Sequence, residues 1–149
     1  MATTYGYASS EWESARDWLA DHLHDVARRQ AKTTYGDICR AMAAAGHISL
    51  DPHSTALAGM LGQINVLERE HGRPLISAIV VHKSDDWMPG VGFWNIAREI
   101  GIDPGSSEAS RLEFWVREFS RCHSYWKSRK SGGESKLLDA RREDLADPK

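Results

Sequence analysis

Leu75–Val81, read LISAIVV, is apolar on both alternations apart from Ser77. That is the pattern of a strand buried on both faces. Elsewhere the apolar residues recur at helical spacing, so the sheet is expected to be short and helices to supply most of the core. After Val81 the chain breaks into HKSDDWMPGVG before apolar side chains resume at Phe93 and Trp94. This interruption predicts a loop or hairpin tip, with Gly90 and Gly92 permitting a tight return and Pro89 stiffening it.

The helices follow from period and punctuation. Trp12, Ala15, Trp18, Leu19, Leu23 and Val26 predict a first helix over 11–29, with Ser10 and Glu13 spaced as a capping box. Thr33 and Thr34 read as extended, and a short helix starts near Tyr35 and stops at Gly46. Asp51 as N-cap and Pro52 at the first helical position open the next helix. Its stripe is Leu57, Met60, Leu61, Ile64 and Leu67, and Gly72 ends it. GFWNIAREIG predicts a short helix ending at Gly101. A long final helix is expected over 106–129, with Leu112, Trp115, Val116, Phe119, Cys122 and Trp126 on one stripe. Residues 1–130 are read as a single domain and 131–149 as a polar tail, expected to be mobile, beginning at Gly132 and Gly133.

A chain of 149 residues with 41% hydrophobic and 27% charged residues suits one soluble globular domain. No apolar run has the length of a membrane span, and the start, MATTYGYASSEWE, lacks the basic and apolar regions of a secretory signal. Cys39 and Cys122 fall in no metal-type spacing, so a cytoplasmic protein with reduced thiols is expected. The net charge is −2, which excludes a globally cationic nucleic-acid glue. The charge is uneven, however. Residues 1–26 carry five acids against Arg16, whereas 111–130 carry Arg111, Arg117, Arg121, Lys127, Arg129 and Lys130 against Glu113 and Glu118. That basic stretch is either a polyanion-binding face or the solvated side of the last helix.

Three helices followed by a strand and a returning loop is the order of a winged helix. TTYGDICRAM resembles the TYGDIA segment that opens the DNA-binding half of alkylguanine-DNA alkyltransferases and alkyltransferase-like proteins. HSTALAGMLGQI lies where that family carries its recognition helix, RPLISAIVV where it carries PCHRVV, and HKSDDWMPGVGF where it has its wing. WNIAREIG resembles the helix that follows. The resemblance spans roughly residues 11–101. It implies a winged-helix-like fold, mainly α with a short β-sheet (α+β), here extended by the long C-terminal helix. Its reactive motif is replaced. PCHR falls on Ile76, Ser77, Ala78 and Ile79, so the alkyl-accepting cysteine and its histidine relay are absent. Leu57, Ala58 and Gly59 stand where the family inserts an arginine into the duplex. Repair chemistry is therefore not expected. The chain also resembles a few short bacterial and phage proteins of unknown role around RPL, SA, VV and MPG, GF, a resemblance that suggests an accessory or mobile-element gene and no chemistry.

The histidines give no ligand spacing. His22 and His24 diverge on one helix, Cys122 and His123 diverge likewise, and His53 meets Glu68 or His82 only if tertiary structure brings them together. Neither a metal nor any other cofactor is expected. A small nuclease or other hydrolase would centre on His82 and Lys83 with Asp85, Asp86 and Arg73. No phosphate cradle, nucleophile elbow or paired-carboxylate motif accompanies them.

Non-catalytic binding is therefore the expected class, with double-stranded DNA as the first candidate partner. His53, Ser54, Thr55 and Gln63 would approach bases or phosphates, and Lys83, Arg117 and Arg121 would supply charge. Against this, no Lys or Arg occurs between Arg40 and Arg69, and Asp85 and Asp86 in the wing repel phosphate. The alternative is a protein-interaction or inhibitor module anchored by Trp87 and Met88. Trp87 is the tryptophan off every helical stripe, and an aromatic beside a thioether suits an interface anchor.

Overall fold

The computed structural model describes residues 2–83 and 88–129. The chain is mainly α with short β pairs. Two strands, β1 (Thr3–Thr4) and β2 (Tyr7–Ala8), form an antiparallel hairpin, and then α1 (Ser9–Arg28) begins. β3 (Thr33–Thr34) leads into α2 (Tyr35–Ala44), and α3 covers Thr55–Glu70. A 3-10 turn (Ile76–Ile79) runs into β4 (Val80–Val81), which pairs parallel with β3. α4 (Val91–Glu99) and α5 (Glu108–Trp126) complete the order. Among the described residues no helix is long and apolar enough to cross a membrane. The tail 131–149 lies outside the described residues.

The expected strand Leu75–Val81 is corrected to a 3-10 turn and a two-residue strand. Its apolar content reports burial, since every residue from Leu75 to Val81 is buried. Side chains replace the missing ladder. Leu75 N–H donates to Glu118 Oε2 at 2.9 Å and Ser77 N–H to Asn65 Oδ1 at 3.2 Å. Trp115 Nε1 donates to the Ala78 carbonyl at 2.8 Å. A backbone so satisfied has no need of a neighbouring strand. The expected wing is tied at its root by one antiparallel bridge, His82 to Met88, with His82 N–H donating to the Met88 carbonyl at 2.8 Å.

Helix starts were partly misplaced. α1 begins after Ala8 with no side-chain cap, so the Ser10–Glu13 capping box does not form. α3 is capped by Ser54, whose Oγ accepts the Leu57 N–H at 3.1 Å. Asp51 instead shapes the turn before it, accepting the His53 N–H at 2.8 Å. Gly46, Gly72 and Gly101 follow helix ends with positive φ, as C-terminal glycines should. On α5 the buried residues are Phe114, Glu118, Cys122 and Trp126, while Leu112 and Val116 are 45% and 49% exposed. Cys122 and Trp126 of the expected stripe are thus buried and Trp115 and Phe119 pack on the core, while Phe114 and Glu118 take the buried places expected of Leu112 and Val116.

Candidate functional site

α2, α3, the 3-10 turn and the start of α4 converge around a cavity of about 220 Å³. Tyr35, the first residue of α2, crosses to α4. Its hydroxyl accepts the Gly90 N–H at 3.0 Å. Burial raises the phenol's pKa, partly opposed by that N–H. Its ring stacks on His82 at 4.0 Å and 14° between planes, and His82 stacks on His53 at 5.2 Å and 6°. A three-ring stack therefore joins α2, the end of β4 and the turn before α3. A Cβ at Gly90 would come about 3.0 Å from both His82 Nε2 and the Tyr35 hydroxyl, so a larger residue there would press on the two stacked rings.

Asn65 of α3 and Ser77 of the 3-10 turn also line this cavity and are 1% and 2% exposed. Asn65 Nδ2 donates to Ser77 Oγ at 2.7 Å. Ser77 stands where the resemblance places a nucleophile, but its side-chain partner is an amide, which cannot take its proton. Nothing in this pair activates an oxygen.

A second groove opens beside the cavity and is lined by Arg40, His53, His82 and Lys83, with Thr34, Tyr35 and Gly36 at the start of α2. Arg40 also pairs with Asp37. The N-terminal end of α2 and the turn before α3 (Pro52 and His53) border this groove, and a helix start carries partial positive charge on its uncapped N–H groups.

The other expected contact residues are dispersed. Ser54 is spent on capping: besides accepting from Leu57, its Oγ donates to the Asp51 carbonyl at 2.8 Å. Gln63 Oε1 accepts from Trp12 Nε1 at 2.9 Å. Thr55 is exposed on a shallow groove between α3 and α4. Arg117 and Arg121 line a groove with Gly72, Pro74 and Tyr125, beyond the far end of α3, and Arg121 also pairs with Glu118. The sixteen residues of α3 put about 24 Å between those arginines' end and His53. Met88 is half-buried against the core. Trp87, Asp85 and Asp86 lie outside the described residues.

His53 and His82 do meet, as stacked rings, but Glu68 belongs to a different cluster with His24 and Arg73. Among the described residues no three His, Cys, Asp or Glu side chains gather as a metal would require. Sequence reading missed Tyr35, Asn65 and Phe93 as lining residues. The one signal it had was Ser77, a lone polar residue in an apolar run, which implies a buried hydrogen-bond partner.

The chain matches no family model, no curated protein and no solved structure.

Proposed function

We propose that this chain is a non-catalytic, winged-helix-like protein that binds duplex DNA, with an accessory role in a bacterium or phage. One observation carries the reading: Arg40, Lys83, His53 and His82 share a single groove beside the start of α2 and the turn before α3. Two cations, two imidazoles and one helix start around one concavity suit a phosphate. The outer face of α3 carries no Lys or Arg before Arg69, so bidentate guanine contacts are missing. Binding is then dominated by the backbone and has little sequence preference. Arg117 and Arg121, at the other end of α3, form a second contact or none.

The test is a duplex titration by fluorescence anisotropy at two salt concentrations. With two to four phosphate contacts, log K should fall against log salt with a slope of about −2 to −4. Arg40→Glu/Lys83→Glu should abolish binding. Arg117→Glu/Arg121→Glu should weaken it only if the far groove also touches the duplex. No binding at low salt rejects the proposal.

A second reading, a protein-interaction module, is favoured by Leu112 and Val116, exposed one turn apart on α5. Capture of one stoichiometric protein that survives Arg40→Glu/Lys83→Glu but is lost on Val116→Glu or Trp87→Ala would select it.

A further inference from the structure

Tyr5 stands at the tip of the N-terminal hairpin. The pairs Thr3 with Ala8 and Thr4 with Tyr7 leave Tyr5 and Gly6 as a two-residue loop, and both have positive φ, 52° and 84°. Turns with two positive φ values favour asparagine, aspartate or glycine at the first place, and a bulky side chain is strained there. The Tyr5 ring lies on the backbone of Gly59 in α3, where a Cβ would overlap both ring and hydroxyl. The same ring stacks on Trp12, which is 1% exposed, at 5.0 Å and 18°. A tyrosine at a strained turn position, met by a glycine beneath it, makes the hairpin a cover for the middle of α3.

That cover lies beside the proposed duplex surface. Tyr5 shares a groove between α3 and α4 with Thr55, Gly59, Gln63, Asn95 and Ile96. Thr55 and Gln63 are two of the residues expected to approach bases or phosphates, and Gln63 accepts from the Trp12 that Tyr5 stacks on. The central cavity shares His53 and His82 with the phosphate groove, and Ala58, Gly62 and Ile96 with the α3–α4 groove. The two grooves therefore adjoin across it. A duplex with one backbone in the phosphate groove carries its second backbone about 6 Å away across its minor groove, or about 12 Å across its major groove. Gly59 is one helical turn, about 6 Å, from Thr55 at the start of α3. The second strand meets Tyr5.

The hairpin is lightly held. Besides its two strand pairs and the rings on Trp12, it is tied among the described residues by surface hydrogen bonds. Ser9 N–H donates to the Ala2 carbonyl at 3.1 Å, the Thr4 and Ser9 hydroxyls are 3.1 Å apart, and the Tyr7 hydroxyl donates to the Ser49 carbonyl at 3.3 Å. Tyr5 itself is 52% exposed. Segments with few buried contacts and exposed hydrogen bonds open at low free energy. We propose that this hairpin is an autoinhibitory strap. Seated on Gly59, Tyr5 closes the α3–α4 groove to duplex DNA; lifted, it opens one continuous surface from the phosphate groove along α3. The inference rests on the duplex reading and adds a regulation to it.

Duplex titrations of the wild type, Tyr5→Ala, Tyr5→Phe and Gly59→Ala test it. If the seated hairpin outnumbers the lifted one by about ten to one, abolishing the seat tightens binding by about tenfold. Tyr5→Ala removes the ring and Gly59→Ala evicts it, so both should gain. Tyr5→Phe keeps the stack on Trp12 and should bind as the wild type does. Adding Arg40→Glu/Lys83→Glu to Tyr5→Ala should cancel the gain, since the strap guards the same surface. Hydrogen exchange supplies a readout that a merely structural hairpin would not move: the amides of residues 3–8 should exchange faster when duplex is saturating. Wild-type binding that Tyr5→Ala and Gly59→Ala leave unchanged or weaken, or hairpin exchange that duplex does not quicken, overturns the strap while the duplex reading stands. Absence of binding by all four proteins overturns both.

Discussion

His24 Nε2 stands 2.9 Å from Glu68 Oε2, and the other oxygen of that carboxylate accepts two hydrogen bonds from Arg73, at 2.9 and 2.7 Å. The pair ties α1 to the end of α3 in the interior, where Glu68 is 1% exposed. Trp126 of α5 stacks on His24 at 4.0 Å, with the Arg28 guanidinium 5.2 Å from its centroid. Burial alone would raise the Glu68 pKa, but the hydrogen bonds and charges of His24 and Arg73 outweigh it and hold the group below its ordinary value.

The sign of the pH effect follows. A carboxylate whose folded pKa is depressed stabilises the fold fully above its unfolded value, about 4.3, and that contribution disappears as pH falls through the folded value. Tm should therefore decline below about pH 4.3. Glu68→Gln should flatten that part of the acid limb and cost about 3–5 kcal/mol at neutral pH, because it leaves the Arg73 guanidinium without its counter-charge. Denaturant unfolding at pH 7 and at a series of pH values below about 4.3 measures both.

Tyr5 lies across Gly59. A Cβ at Gly59 would overlap the Tyr5 hydroxyl and ring, and Tyr5 stacks on Trp12 at 5.0 Å. Gly59 costs α3 about 1 kcal/mol of helix propensity relative to alanine, and the stack returns about 0.5–1.5 kcal/mol. Gly59→Ala alone should thus leave stability nearly unchanged. In a Tyr5→Ala background the same change should stabilise by about 1 kcal/mol, since nothing is left to displace. A double-mutant cycle in urea reads the difference.

Much of this arrangement could be anticipated, and the failures have a common cause. Five helices and the glycine ends of three of them were legible because the 3.6-residue period and C-terminal glycine are local signals. Leu75–Val81 was misread because apolar content records burial, while its backbone partners are the side chains of Asn65 and Glu118, 12 and 43 residues away. The burial of Glu118 and Glu68 has no local signal for the same reason, since Leu75 and His24, which they meet in the interior, are distant in sequence. The hairpin at Tyr5 and Gly6 was missed because two-residue strands give almost no alternation, although a glycine at φ 84° is an ordinary turn signal. The cavity had no linear signature at all, since Tyr35, Asn65, Ser77 and Phe93 come from four different elements.

Ser54 carries a prediction that separates structure from recognition. It caps α3 through Leu57 N–H and the Asp51 carbonyl. Ser54→Ala should cost about 1 kcal/mol of stability, while Ser54→Asp should retain it. If duplex affinity follows stability and is restored by the aspartate, Ser54 acts by holding the helix start. A direct phosphate contact would instead make Ser54→Asp the weaker binder of the two, because a carboxylate repels the backbone.

The two cysteines should be silent in the native protein. Burial pushes the Cys39 thiol up to about 11, with Asp51 adding to it. Burial likewise holds the Cys122 thiol well above its ordinary value, beside Glu118 and Glu68, and its Sγ donates to the Leu75 carbonyl at 3.1 Å. At pH 8 a thiol of pKa 11 is about one part in a thousand thiolate, and the thiolate is the reactive form. A chromogenic disulfide reagent should therefore find no fast-reacting group in the folded chain and two in denaturant. Reaction in the native state should proceed only as fast as the protein unfolds, so stabilising the fold should slow it. A rapid native thiol would show instead that the packing of α2 or of α5 opens locally, and mass mapping of the modified cysteine would say which helix moves.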